Sequence, residues 1–116
     1  MTANLIDKNG VLIVNIGGTL DIEHTHFFKE TCLRELLAKK VIFNMENASF
    51  VGSTGLQCFI ETVQGLSLGQ HGLKVYGAKS EFKRLLQNLE LQKLQILENE
   101  EQAIARFVRE THLVFG

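Results

Sequence analysis

The sequence predicts an α/β fold: a mixed, mostly parallel sheet of about five strands, opening with an antiparallel hairpin and carrying about four helices. Three observations predict it. Asn9-Gly10 sits between two strand-like runs and is the favoured pair for a two-residue hairpin turn. Beyond it, apolar residues alternate between helical stripes and short runs rich in branched and aromatic residues. The chain has no proline and no Gly/Ser-rich linker, so nothing marks a domain boundary within its 116 residues. One domain spanning 1–116 is the expectation.

Asn4 to Lys8 reads as the first strand and Val11 to Ile16 as the second, apolar enough to be buried on both faces. Phe28, Cys32 and Leu36, with Phe27, Leu33 and Leu37, form one stripe of a helix from about Glu23 to Leu37. Val41 to Met45 is too short for a helix and reads as a strand. Leu56, Phe59, Ile60, Val63 and Leu66 give a second helix over Thr54 to Leu66, entered through Gly52-Ser53-Thr54-Gly55. Leu73 to Tyr76 is the next strand. Ser80 is the expected N-cap of a third helix carrying Phe82, Leu85, Leu86 and Leu89. Leu94 to Leu97 is a last short strand. Asn99 and Gln102 fit a capping box for a final helix that buries Ala103, Ile104, Phe107 and Val108. Whether the helices cover one face or both is left open by the sequence.

Composition excludes several function classes. Twelve Lys+Arg against thirteen Asp+Glu give a net charge of -1, without the basic surplus a general nucleic-acid binder needs. No apolar run reaches the roughly 20 residues that cross a bilayer, and no secretory signal is visible, so a cytoplasmic location is expected. Two cysteines, Cys32 and Cys58, are too few for a disulfide framework and fall on apolar stripes, as buried inert thiols do.

Candidate chemistry centres on Gly52-Ser53-Thr54-Gly55. It is not a phosphate-binding loop, because the Gly-x-x-x-x-Gly-Lys-Ser/Thr string is missing. It is not a nucleophile elbow, because Gly-x-Ser-x-Gly is missing. Two readings stay open. Ser53 or Thr54 caps the second helix, or a hydroxyl at this surface turn is modified, since a phosphate on Ser53 would face a helix N-terminus that favours anions. His24 and His26 lack the companions of a metal site and read as surface or capping residues. Asp21 reads as a turn or cap residue. No catalytic constellation, metal set or cofactor motif can be assembled from local spacing.

Two strings, in this element order, resemble the STAS domain family of sulphate transporters and anti-sigma factor antagonists. Gly18-Thr19-Leu20-Asp21 is similar to the family's Gly-x-Leu-Asp turn after the second strand. Val41 to Met45, followed by Phe50-Val51-Gly52-Ser53-Thr54-Gly55-Leu56, resembles its central strand and Asp-Ser-Ser/Thr-Gly-Leu turn. Gly72 to Gly77 looks like its next strand. The resemblance implies an anti-sigma factor antagonist-like regulator that binds an anti-sigma factor acting as a serine-protein kinase, with a phosphatase reversing the modification. The phosphorylated residue falls on Ser53, with Thr54 the lesser candidate. Asp21, Gly52, Ser53, Thr54, Gly55 and Leu56 form the implied partner surface. No catalytic residue, cofactor or metal is implied, and neither nucleic acid nor membrane insertion is expected. The family's two acidic positions are Gly52 and Asn44 here. That departure keeps a second reading in play, a constitutive accessory subunit of an ABC-type lipid transporter that is not phosphorylated. The oligomeric state is left open.

Overall fold

The computed structural model describes residues 1–50 and 52–115. Its elements run β1 (Thr2–Lys8), β2 (Val11–Thr19), α1 (Ile22–Glu35), β3 (Lys40–Ser49), α2 (Leu56–Ser67), β4 (Leu73–Tyr76), α3 (Ser80–Asn88), β5 (Leu94–Leu97) and α4 (Glu100–Phe115). The sheet order is β1-β2-β3-β4-β5. β1 and β2 are antiparallel, and the other three pairs are parallel. This is the mixed sheet that the sequence predicts. Asn9 (φ 55) and Gly10 (φ 87) supply the two positive φ angles of a type I′ turn.

The helices split between the faces. Val14, Ile16, Val41, Phe43, Met45, Leu73 and Val75 face α1, α2 and α3 in the larger core. Val11, Ile13, Ile42 and Tyr76 point the other way and meet Ala103 and Phe107 of α4. Alternating side-chain direction along a strand makes both burials possible at once. A chain of rings, Phe28–Phe43 (5.6 Å), Phe43–Phe59 (5.8 Å), Phe59–Phe82 (5.5 Å) and Phe82–Phe50 (5.2 Å), ties α1, β3, α2 and α3 together. Phe50 thereby fixes the end of β3 from which the Ser53 loop departs.

β3 is longer than the sequence suggests, because pairing with β2 carries it past Met45. Asn15 pairs with Asn44 but Gly17 pairs with Asn47, so β3 holds one extra residue there. Asn44 secures this bulge: its Oδ1 accepts the Glu46 N–H at 3.0 Å. Its amide donates to Asn15 Oδ1 at 2.7 Å, and Asn15 donates to Asn4 Oδ1 at 3.0 Å.

Several expected boundaries shift. α2 starts at Leu56 with Gly55 as N-cap, not at Thr54. Lys79, not Ser80, caps α3, and without a side-chain bond. At α4, Asn99 Oδ1 accepts the Gln102 N–H at 2.9 Å as expected, but Gln102 reaches back to the Glu98 N–H at 3.0 Å instead of that of Asn99.

Candidate functional site

The site lies at the carboxyl ends of β2 and β3, where the chain turns into α1 and α2. This is where open α/β sheets gather their functional loops. Leu20 N–H donates to Ser49 C=O at 3.1 Å, pinning the β2 exit to the β3 exit. Ser53 N–H donates to Phe50 C=O at 2.9 Å, closing a tight turn in which Gly52 takes φ +71. A side chain at Gly52 would meet nothing within 4 Å, so only its φ favours glycine there.

Ser53 is half-buried, and its hydroxyl is engaged. The surface turn expected from sequence is exposed at Gly52 and Thr54, but Ser53 folds inward between them. Its Oγ donates to Leu20 C=O at 2.5 Å and accepts the Gly55 N–H at 3.1 Å. Gly55 N–H also donates to the same Leu20 carbonyl at 3.0 Å. Neither Ser53 nor Thr54 caps α2, which has no side-chain cap. Thr54 Oγ1 instead accepts the N–H of Ile22, the first residue of α1, at 3.0 Å. Gly55 is buried between the helix starts, and a Cβ on it would lie 2.5 Å from Thr25 Oγ1 and 2.6 Å from Asp21 C=O. Leu56 is half-buried against the larger core.

Asp21 is the N-cap of α1. Its carboxylate accepts the His24 N–H at 3.0 Å, meets His24 Nδ1 at 2.6 Å and pairs with the Met1 ammonium at 2.9 Å. The ammonium first, then the His24 backbone and ring, hold this carboxyl far below the usual carboxylate range. His26 Nε2 pairs with Glu30 at 3.0 Å, so both histidines serve the α1 surface. Among the described residues no three His, Cys, Asp or Glu side chains converge as a metal site would need. Burial pushes the Cys32 thiol up to about 12, while Cys58 is half-buried.

Asp21, Ser53, Thr54 and Gly55, separated by more than thirty positions of chain, thus meet around two helix starts. Sequence reading missed Leu20 C=O and Ile22, the first because a backbone acceptor leaves no signature in residue type. Ile22 is 55% exposed although apolar, beside Thr54. Its signal was an aliphatic residue directly after a capping aspartate, where the helical stripe does not need one.

The family model of the STAS domain matches residues 2–104. The anti-sigma-B factor antagonist of Staphylococcus aureus is 30% identical over 76 residues, spanning 64% of this chain and 70% of that protein. Two solved structures share the fold. An RsbS variant from Moorella thermoacetica has a TM-score of 0.70 at 19% identity, over 97% of this chain and 99% of that one. The phosphorylated form of the Bacillus cell fate determinant SpoIIAA has a TM-score of 0.62 at 18% identity, over 91% of this chain and 99% of that one. No helix of the described residues is long and apolar enough to cross a membrane. With the element order, the sheet topology and these matches in agreement, the chain belongs to the STAS domain family, of the anti-sigma factor antagonist type.

Proposed function

We propose that this chain is a non-enzymatic partner-switching regulator. It docks on a cytoplasmic anti-sigma factor that is also a serine-protein kinase, and phosphorylation of Ser53 releases it. A phosphatase resets the switch. Asp21, Gly52, Ser53, Thr54, Gly55 and the start of α2 at Leu56 form the docking edge.

One observation carries this reading: the Ser53 hydroxyl donates to Leu20 C=O between two helix starts, with exposed Gly52 and Thr54 on either side. Transfer of a phosphoryl group to Oγ removes the only proton that hydroxyl can donate. The bond to Leu20 C=O is then lost, and a group of about -1.5 to -2 charge units must turn outward. The space beside Gly52 and the dipole at the α2 N-terminus accommodate that movement. A dianion at the centre of a partner surface has to be desolvated or meet a like charge. A penalty of about 3–4 kcal/mol lowers affinity by two to three decades. The fold itself does not need to change.

Mass spectrometry after incubation with the cognate kinase and ATP tests the reading. A single phosphate on Ser53 is expected. Modification elsewhere, or none with an authentic partner, removes the switch. Co-purification of a permease and its ATPase in place of a kinase would assign the chain to the lipid-transporter role instead.

A further inference from the structure

The helix layer does not cover β1. That strand pairs with β2 alone among the described residues, and all seven of its residues are exposed. α1 leans towards α2, and α4 packs on β3, β4 and β5. Between β1 and α1 this leaves an apolar groove of about 320 Å³ lined by Leu5, Val14, Phe27, Phe28, Cys32 and Leu36. Leu5 is 51% exposed, Ile6 46% and Phe27 69%.

The backbone of the same strand shows what fits there. A two-residue type I′ turn makes Lys8 and Val11 a mutually hydrogen-bonded pair, and antiparallel pairing alternates from that point. The N–H and C=O groups of Thr2, Asn4, Ile6 and Lys8 therefore face β2. Those of Ala3, Leu5 and Asp7 face outward, where no strand of the described residues pairs with them. This outward set is symmetric about Leu5. A small molecule filling the groove would leave that row unpaired, whereas another strand satisfies it.

We propose that the occupant is a second copy of this chain. A two-fold axis at Leu5 pairs β1 with the second copy's β1 and extends the sheet across both molecules. Leu5 then bonds reciprocally with the second copy's Leu5, and Ala3 with its Asp7. Every outward N–H and C=O of the three residues gains a partner. The side chains agree with this register. Leu5 meets Leu5 over the joined grooves, Ile6 lies beside Asn4, Asp7 faces Ala3 and Lys8 faces Thr2, so no like charges oppose each other. The usual defences of an edge strand are missing, since β1 has no proline and its charges are confined to its last two residues. Those charges are already occupied: Asp7 accepts the Gly10 N–H at 2.8 Å and Lys8 meets Glu100 at 2.6 Å.

A strand pair of this length with Leu5, Ile6 and Phe27 buries about 600 Å² per copy, at the lower end of specific interfaces, so a weak dimer is expected, with a dissociation constant of about 1–100 µM. Because the two β1 strands run antiparallel, the Ser53 loops of the two copies point to opposite ends of the joined sheet. The dimer therefore presents both docking edges at once.

Sedimentation equilibrium of the unphosphorylated full chain between about 1 µM and 1 mM tests the proposal without any partner protein. A monomer–dimer equilibrium in this range is expected. Leu5→Lys should weaken it at least 30-fold, and Leu68→Lys, on a distant exposed leucine, should leave it unchanged. Hydrogen exchange of the wild-type chain is an independent readout: the amides of Ala3, Leu5 and Asp7 should slow as concentration rises. A chain that is monomeric at 1 mM, a dimer indifferent to Leu5→Lys, or concentration-independent exchange at those amides overturns it.

Discussion

Thr54 Oγ1 accepts the backbone N–H of Ile22 at 3.0 Å, so a hydroxyl at the threshold of α2 serves the first turn of α1. Asp21 takes the His24 N–H of the same turn. Two of the four donors that a helix start leaves without intrahelical partners are thereby satisfied, one locally and one across 32 positions of chain. Thr54→Ala should destabilise the fold by about 0.5–1.5 kcal/mol, and Thr54→Ser should restore most of it. Urea denaturation of the three proteins checks this. Equal midpoints would mean that the cross-helix cap contributes nothing.

Substitutions at Ser53 should separate stability from the proposed switching. Ser53→Ala removes one donor to Leu20 C=O, which keeps the Gly55 N–H, so the loss of stability should be about 1 kcal/mol. Partner affinity should hardly change. Ser53→Asp places a carboxylate on the proposed docking edge and should weaken binding about 100-fold by titration calorimetry. Equal affinities for the two variants contradict the proposed switch.

Gly52 and Gly55 should respond oppositely to a side chain. At Gly55, Ala drives a Cβ into Asp21 C=O and Thr25 Oγ1, and a loss of about 1–3 kcal/mol is expected. Gly52 has open space, and Asp tolerates left-handed backbone better than most residues, so Gly52→Asp should cost about 1 kcal/mol. The same substitution restores an acidic residue before the serine and should raise the rate of Ser53 phosphorylation. Thermal melts and a kinase time course read the two effects separately.

Asp21 links stability to acid. Its carboxyl titrates well below an unfolded aspartate near 3.9. A depressed folded value contributes stability that is fully present above the unfolded value and is lost as pH falls towards the folded one. Wild-type stability should therefore drop below about pH 4, and Asp21→Asn should flatten that limb. Denaturation midpoints measured from pH 7 down to pH 2 decide it, and parallel curves would refute the assignment.

Lys74 shows the cost of a buried ion. Its side chain is 3% exposed, lies 3.8 Å from the centre of the Phe107 ring and pairs at 3.0 Å with Glu110, which is half-exposed. Burial pulls its ammonium below the ordinary lysine value despite Glu110. Lys74→Met keeps the packing and leaves Glu110 in contact with water, so it should be neutral or stabilising. Lys74→Ala should lose about 2 kcal/mol through the cavity. In the wild type the unfolded lysine holds its proton longer than the folded one. Stability should therefore rise with pH over the range just below the ordinary value near 10.4, a rise absent in Lys74→Met.

The sequence by itself determined the hairpin, the order of strands and helices and most of the face each helix buries, although Phe27, Leu37 and Val108, expected on those faces, are exposed. Those follow from residues a few positions apart: Asn9-Gly10 demands positive φ, and the stripes through Phe28 and Phe59 repeat at helical spacing. It also brought Asp21 and the Ser53 loop forward as candidates, through motif and order. Only the tertiary structure decided what those residues touch. Thr54 caps the wrong helix by local rules, Ser53 spends its proton on a carbonyl 33 positions away, and Asn44 holds a bulge that carries β3 to Ser49. It alone placed α4 on the opposite face and left β1 bare. Periodicity records which side of an element is apolar, but a hydrogen bond to a distant backbone group is set by where two chain segments arrive together, and no local window of sequence contains both.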